Sequence, residues 1–320
     1  EDGIRDCTRS LVGSEMCIRD RKYCVDDLAS VHTFIPLPDD TPELYENIVA
    51  LDDGSFIVVA ASRGELLHVT EAGEVRVFSK LPTGVFDLTS FEGMVSGVSR
   101  GLDDAIYTMV IASDPANRGI WRVDSAGNPT LWSRFPVASG GNGMASDRAG
   151  NIFVADSNLG LIWKVGPDGG EPVVWADDDL LGTGEGSALP AANGIKIAAD
   201  GTVFVTTTLP GRVVRVDVNS DGSAGEITQW DSGISGDDFD IDSRGRLYVT
   251  THPFNTVVRL ESGQACAVVG NADMGIVGPT AAVFGARAED SSVLYVVNDG
   301  GYMLPLRGAG PSIVGLDLSE

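Results

Sequence analysis

Six residues hold matching places along this 320-residue chain: Glu46, Ser96, Asn142, Asn193, Asp237 and Thr280. Each opens a short apolar-alternating run, and the runs recur at intervals of about 43 to 51 residues. Four of the six carry a carboxylate or amide oxygen, and none is His or Cys. Oxygen donors with two formal negative charges suit a hard divalent cation, Ca²⁺ before Mg²⁺, because Mg²⁺ tolerates distorted geometry poorly. The same residues have a plainer use, since Asn and Asp at the start of a strand are ordinary turn formers. Glu46 has no such turn role and yet occupies the same frame, which favours a shared site.

The elements that must position these residues are strands. Runs such as "SFIVVAA", "GNIFVADS", "GTVFVTTT" and "GRLYVTTH" are β-branched or aromatic, short, and bounded by Gly and Asp. Aligned on the recurring residue, "ENIVALDDGSFIVV", "NGMASDRAGNIFVA", "NGIKIAADGTVFVT" and "DDFDIDSRGRLYVT" share a turn with glycine eight residues on, at Gly54, Gly150, Gly201 and Gly245. "SGVSRGLDDAIYTM" follows the frame with Asp104 in the glycine's place, and a sixth copy begins near Thr280. Third and fourth strands follow, as in "GLIWKVGPDG" and "NPTLWSRFP". This period with four strands per unit predicts an all-β chain folded as a six-bladed β-propeller. The last unit ends at its third strand, "PSIVGLDLSE", and "SVHTFIPLP" at residues 30 to 38 resembles a fourth strand. That N-terminal strand is expected to close the sixth blade, leaving no exposed sheet edge. In a propeller the innermost strand of every blade begins at one face, so the six recurring residues ring one mouth of the channel.

Residues 1 to 20 read differently. Glu1 to Asp6 and Leu11 to Asp20 back-translate into two blocks of a sequencing-library adapter, with Cys7 to Ser10 where an index barcode would lie. This segment is set aside from fold reasoning as an artefact; residues 21–29 are expected as disordered or linker, and 30–320 as a single propeller domain. The adapter occupies the place where a leader would be read. An acidic, lysine-poor propeller suits a secreted or periplasmic protein, but the compartment stays open. The net charge of −24 argues against nucleic acid or anionic membrane as a partner, because both require Lys and Arg to neutralise phosphate. No apolar run approaches the length that spans a bilayer. Outside the adapter only Cys24 and Cys266 remain, which permits one disulfide or none.

Loops joining second and third strands should rise on the face that carries the ring. They hold Asp156 and Asn158 in "DSNLG", Thr207 in "TTLPG", His252 in "THPFN", and Asn298 and Tyr302 in "NDGGYM". These are the candidate substrate-binding residues. His252 is the one histidine in such a loop and suits a proton shuttle near neutral pH, against the blander reading of a solvent-facing loop residue; His32 and His68 fall in outer strands facing solvent. "WADDDLLGTGEGSALPAANG" is long for a blade connection and reads either as a loop over the mouth or as a plain surface excursion. Its "ADDDL" lacks EF-hand spacing, and "GTGEG" has no following Lys-Ser/Thr, so it is no phosphate loop.

The chain resembles the superfamily of senescence marker protein, gluconolactonase and luciferin-regenerating enzyme, whose propellers are related to paraoxonases. The resemblance covers roughly residues 30 to 318 and is best over "NGMASDRAGNIFVADS", "ANGIKIAADGTVFVT" and "DDFDIDSRGRLYVTTHP". It implies a divalent cation, Ca²⁺ first, held by Glu46, Asn142, Asn193 and Asp237, and hydrolysis of a small-molecule lactone or ester with Asp237 as the base that activates water. Asp238 is an alternative ligand. One departure matters: the sugar-lactone enzymes have arginine two residues before the first Asn, where this chain has Gly140. A less polar lactone or ester therefore stands beside a gluconate-like substrate. Two alternatives remain, a non-catalytic ligand- or partner-binding propeller of the NHL type and a strictosidine-synthase-like enzyme.

Overall fold

The turns of the first five repeats close with backbone in the left-handed region, which only glycine and, more rarely, Asn or Asp adopt readily. Gly54, Gly150, Gly201 and Gly245 have φ of 84°, 82°, 92° and 80°, and Asp104 takes the same role at 60°. The computed structural model describes residues 24–39, 43–183, 190–261, 266–302 and 309–319. Residues 1–20, read above as adapter-derived, and part of the long connection before Asn193 lie outside these described residues.

The strands form six separate antiparallel sheets, the blades of a six-bladed propeller. Their innermost strands are Tyr45–Ala50, Met94–Arg100, Gly141–Ser146, Ala192–Ile197, Phe239–Ile241 and Pro279–Phe284. The second strand of each blade is sandwiched between neighbouring blades and buried on both faces, as in Phe56–Ala60, Ile152–Asp156 and Leu247–Thr251. This is why those segments read as unbroken apolar runs. Outer strands such as Val75–Lys80 pack one side only. The core consists of apolar wedges between adjacent blades, and Phe56 of the first blade meets Tyr295 of the sixth with ring centroids 4.6 Å apart.

Closure follows the expected route. Ser30–Pro36 pairs antiparallel with Ser312–Asp317, from Ser30 opposite Asp317 to Pro36 opposite Ser312, and so completes the sixth blade. Where a linker was expected before residue 30, Val25–Asp26 instead runs parallel to Cys266–Gly270 as a fifth strand on the fifth blade. Cys24 and Cys266 form a disulfide across 242 residues of chain. The N-terminal segment is thus anchored to the blade next to the one it completes. Cross-links closing long loops restrict the unfolded chain most, so replacing Cys24 by Ser is expected to cost about 2–5 kcal/mol in urea unfolding. An unchanged midpoint would show that the strand pairing alone secures closure.

Candidate active site

The recurring residues fall on one structural feature. The pairing of first and second strands slips between Tyr45 and Ile48, Val95 and Val98, Gly141 and Met144, Ala192 and Ile195, and Pro279 and Ala281. Glu46, Ser96, Asn142, Asn193 and Thr280 sit at these irregularities, and Asp237 lies just ahead of its strand. A bulge re-aims a side chain out of the sheet, and here it turns the residues toward the channel.

Two ring members tie blades together. Ser96 Oγ donates to the Gly141 carbonyl at 2.7 Å, and Thr280 Oγ1 to the Tyr45 carbonyl at 2.7 Å. The other four, with Ser96 beside them, line a cavity of about 580 Å³ together with His252 and Asn158. Asn193 Nδ2 donates to Asp237 Oδ1 and Thr208 Oγ1, both at 2.8 Å, and Asn142 Nδ2 to Ser157 Oγ at 3.4 Å. With their nitrogens committed to protein acceptors, the two amides have their oxygens to offer a cation. Desolvation pushes the Glu46 carboxyl up to about 8, reinforced by Asp237. Desolvation likewise raises Asp237 to about 7, against the pull of His252. Two acids crowded in one enclosed space, with amide oxygens beside them, suit a divalent cation in charge and donor type. Among the described residues no three His, Cys, Asp or Glu side chains form a metal-holding group by themselves; half of this donor set is amide.

His252 is not a solvent-facing loop residue. It begins a short 3₁₀ turn, His252–Phe254, and its Nε2 lies 2.9 Å from Asp299 Oδ2. Burial alone would lower this imidazole, but the Asp299 hydrogen bond and the fields of Asp237, Asp299 and Glu46 outweigh it and hold it at about 9. Asp299 is 1% exposed, and its Oδ1 accepts from the backbone of Gly301 and Tyr302. Gly278 makes room for it, since a Cβ there would lie 1.8 Å from Asp299 Oδ1. Sequence reasoning chose Asn298 in this loop and missed Asp299; the adjoining "DGG", an acid followed by two small turn residues, was the available signal.

Three of the other loop candidates are brought elsewhere. Asp156 is fully buried and accepts from Ser139, Trp163 and the backbone of Gly140, Asn158 and Leu159, so it shapes the loop rather than lining the cavity. Thr207 is buried and donates to the Pro210 carbonyl, while its neighbour Thr208 reaches the cavity. Asn298 is buried and donates to the Val296 carbonyl. His68 is half-buried against Ser55 rather than facing solvent, whereas His32 is exposed.

Asp238, the alternative ligand, belongs to the layer beneath the ring. Lys196 Nζ reaches its two oxygens at 3.0 and 2.8 Å, and Asn47 Nδ2 approaches at 3.4 Å. The Asp238 side chain is 4% exposed, so it depends on this cation. Replacing Lys196 by Met is expected to cost about 3–5 kcal/mol by stranding a buried charge. Adding Asp238→Asn should restore much of the loss, and a Lys196→Met variant as stable as the parent in denaturant would show that the pair contributes nothing.

The chain matches no protein-family model and no curated protein. Its fold is shared with solved propellers. A gluconolactonase from Xanthomonas campestris is 16% identical over 94% of this chain and 99% of that one, with a TM-score of 0.64. The calcium-binding protein regucalcin from Agrobacterium tumefaciens is 20% identical over 91% and 98%, with a TM-score of 0.62. A catalytically inactive histidine-to-alanine variant of virginiamycin B lyase from Staphylococcus aureus, bound to quinupristin, is 12% identical over 88% and 83%, with a TM-score of 0.59. At these identities the likenesses establish the fold.

Proposed function

We propose that the protein hydrolyses a small-molecule lactone or ester with the help of a divalent cation, Ca²⁺ first, held by Glu46, Asn142, Asn193 and Asp237. The observation that carries this reading is the meeting, in one cavity, of two acids raised toward neutrality, two amides with oxygens to offer, and a histidine seated on a buried carboxylate. A cation so held supplies a Lewis acid for the carbonyl and for the negative charge that develops on its oxygen.

The remaining work falls to side chains. Asp237, raised to about 7 in the cation-free site, would be ionised with the cation bound and is then available as a general base. The Asn193 amide fixes its Oδ1, and the carboxylate takes a proton as water adds to the carbonyl carbon. His252, whose hydrogen bond to Asp299 favours the protonated ring, gives its proton to the departing alkoxide as the acyl C–O bond breaks. The net products are a carboxylic acid and a hydroxyl, the two ends of one opened molecule when the substrate is a lactone.

A second reading has the His252–Asp299 pair in its favour, together with the lyase among the structural neighbours. Elimination would instead break the alkyl C–O bond, with a base removing a proton from the carbon next to it, and would leave an unsaturated acid without water entering. Acid release in a pH-stat from sugar and aliphatic lactones, with product analysis in ¹⁸O-water, tests both. One labelled oxygen in a hydroxy acid supports hydrolysis, and an unlabelled alkene supports elimination. Cation binding without turnover of any lactone or ester would leave the ligand-binding propeller.

A further inference from the structure

The cavity's lining changes character around the ring. Glu46, Asn142, Asn193 and Asp237 make it polar, whereas the second blade and its flanking connections supply Phe91, Met94, Ile111 and Val137, joined by Leu44 from the start of the first blade. A volume of about 580 Å³ lies in the range that encloses a drug-sized molecule. The ring donors and His252 account for only part of it.

The apolar wall offers little to a sugar. At Gly140, where the sugar-lactone pattern has arginine, a Cβ would fall 2.4 Å from Asn158 Cγ, so Asn158 fills the space a longer side chain would need. The guanidinium that does line the cavity, Arg118, has a side chain 3% exposed; both of its terminal nitrogens are committed to protein acceptors, while its buried Nε has no partner among the described residues. It donates to Glu92 Oε1 at 2.6 Å, to the Ala112 carbonyl at 3.1 Å and to the Ser139 carbonyl at 2.9 Å.

Those acceptors show what Arg118 does. Glu92 ends the connection that carries Phe91, and Ser139 ends the connection that carries Val137. One buried side chain therefore fastens both apolar jaws. Phe91 itself is held at a φ of 55°. The left-handed region is costly for a bulky residue and persists only where the surroundings enforce it.

We propose that this wall is a subsite for an apolar arm of the substrate, a straight alkyl or acyl chain attached to the lactone or ester, and that Arg118 is the positioning residue that holds the subsite together. The identity of the reacting group rests on the hydrolase reading; the arm rests on the wall alone.

Two series of probes separate the two. In the first, 1-alkanols from butanol to decanol, which have the arm and no reacting ring, are titrated calorimetrically against the full chain. Affinity is expected to rise about three- to four-fold per added methylene, the effect of burying that group. In the second, γ-lactones bearing alkyl arms of one to eight carbons are followed by acid release. Their kcat/KM is expected to climb with the same slope, and Phe91→Ala is expected to flatten both series. Arg118→Met should raise KM for the octyl lactone about ten-fold at unchanged kcat, whereas a mere loss of folded protein would lower kcat at unchanged KM. Alkanol affinity that climbs while no lactone is turned over would keep the subsite and remove the hydrolase. Lactone turnover indifferent to arm length, with alkanols that fail to tighten, would overturn the subsite and keep the hydrolase.

Discussion

Replacing Asp237 by Asn is expected to lower kcat by about 10³-fold or more while leaving the protein folded. General bases contribute about 10²–10⁴-fold on their own, and this residue also supplies one of the two negative charges offered to the cation. Asparagine keeps the shape and keeps an oxygen for the Asn193 amide, which donates to Asp237 Oδ1 at 2.8 Å. Stability should move the other way. Desolvation raises Asp237 to about 7 in the folded chain, so above that pH the ionised carboxylate opposes folding of the cation-free protein. The variant removes that opposition, and its cation-free melting temperature at pH 8 is expected to equal or exceed the parent's. Turnover in a pH-stat and melting by circular dichroism decide the matter. Equal loss of activity and of folded protein would make Asp237 a structural residue.

The second large effect is the joint dependence of stability on pH and cation. Folding raises Glu46 from 4.5 to about 8, Asp237 from 3.8 to about 7 and His252 from 6.5 to about 9. In each case the folded state binds protons more readily than the unfolded state, so the contribution of these groups falls as pH rises from the unfolded toward the folded value. The carboxyl contributions fall from about pH 4 to their folded values, and that of His252 from about 6.5 to 9. Between pH 6.5 and 7 all three act in the same direction, and the cation-free protein should lose melting temperature steadily toward pH 9. A cation that binds the ionised site in the folded chain opposes this, by about 4 kcal/mol at a thousand-fold excess over Kd. Its effect should grow with pH, because protons compete for the same oxygens. The expected record is a sloping melting curve without Ca²⁺, a flatter one with it, and a reduced difference in Glu46→Gln. A calcium shift of constant size from pH 6 to 9 would remove these carboxylates from the site.

What could be read in advance was whatever the repeat carries. The turn after each of the first five innermost strands needs left-handed backbone, so Gly54, Gly150, Gly201 and Gly245 recur, and Asp104 stands among them because its short polar side chain tolerates the same φ. The frame that spaces those turns also places Glu46, Asn142, Asn193 and Asp237 at the channel mouth. Closure by residues 30 to 36 followed from a missing fourth strand.

What escaped was whatever the repeat does not carry. Asp299 meets His252 across 47 residues through a contact made once, in the fifth and sixth blades. Lys196 pairs with Asp238 from a neighbouring blade, where the other repeats have no such pair to suggest it. Asp156, Thr207 and Asn298 were read as loop residues, whereas each is the last residue of its blade's second strand, buried between neighbouring blades, and its side chain turns back into the protein. The parallel strand Val25–Asp26 is two residues long, too short to show any alternation.

In the proposed reaction Glu46 and Asp237, with the two amides, hold a divalent cation that the hydrolysis requires. The most direct measurement is acid release from one responsive lactone by chelator-stripped protein, before and after Ca²⁺ is restored, with Mg²⁺, Mn²⁺ and Zn²⁺ in parallel and Glu46→Gln as companion. Stripped protein is expected to give no turnover, to recover with Ca²⁺, and in the variant to require more calcium. Full turnover by stripped, folded protein, with Glu46→Gln indistinguishable from the parent, would contradict that requirement.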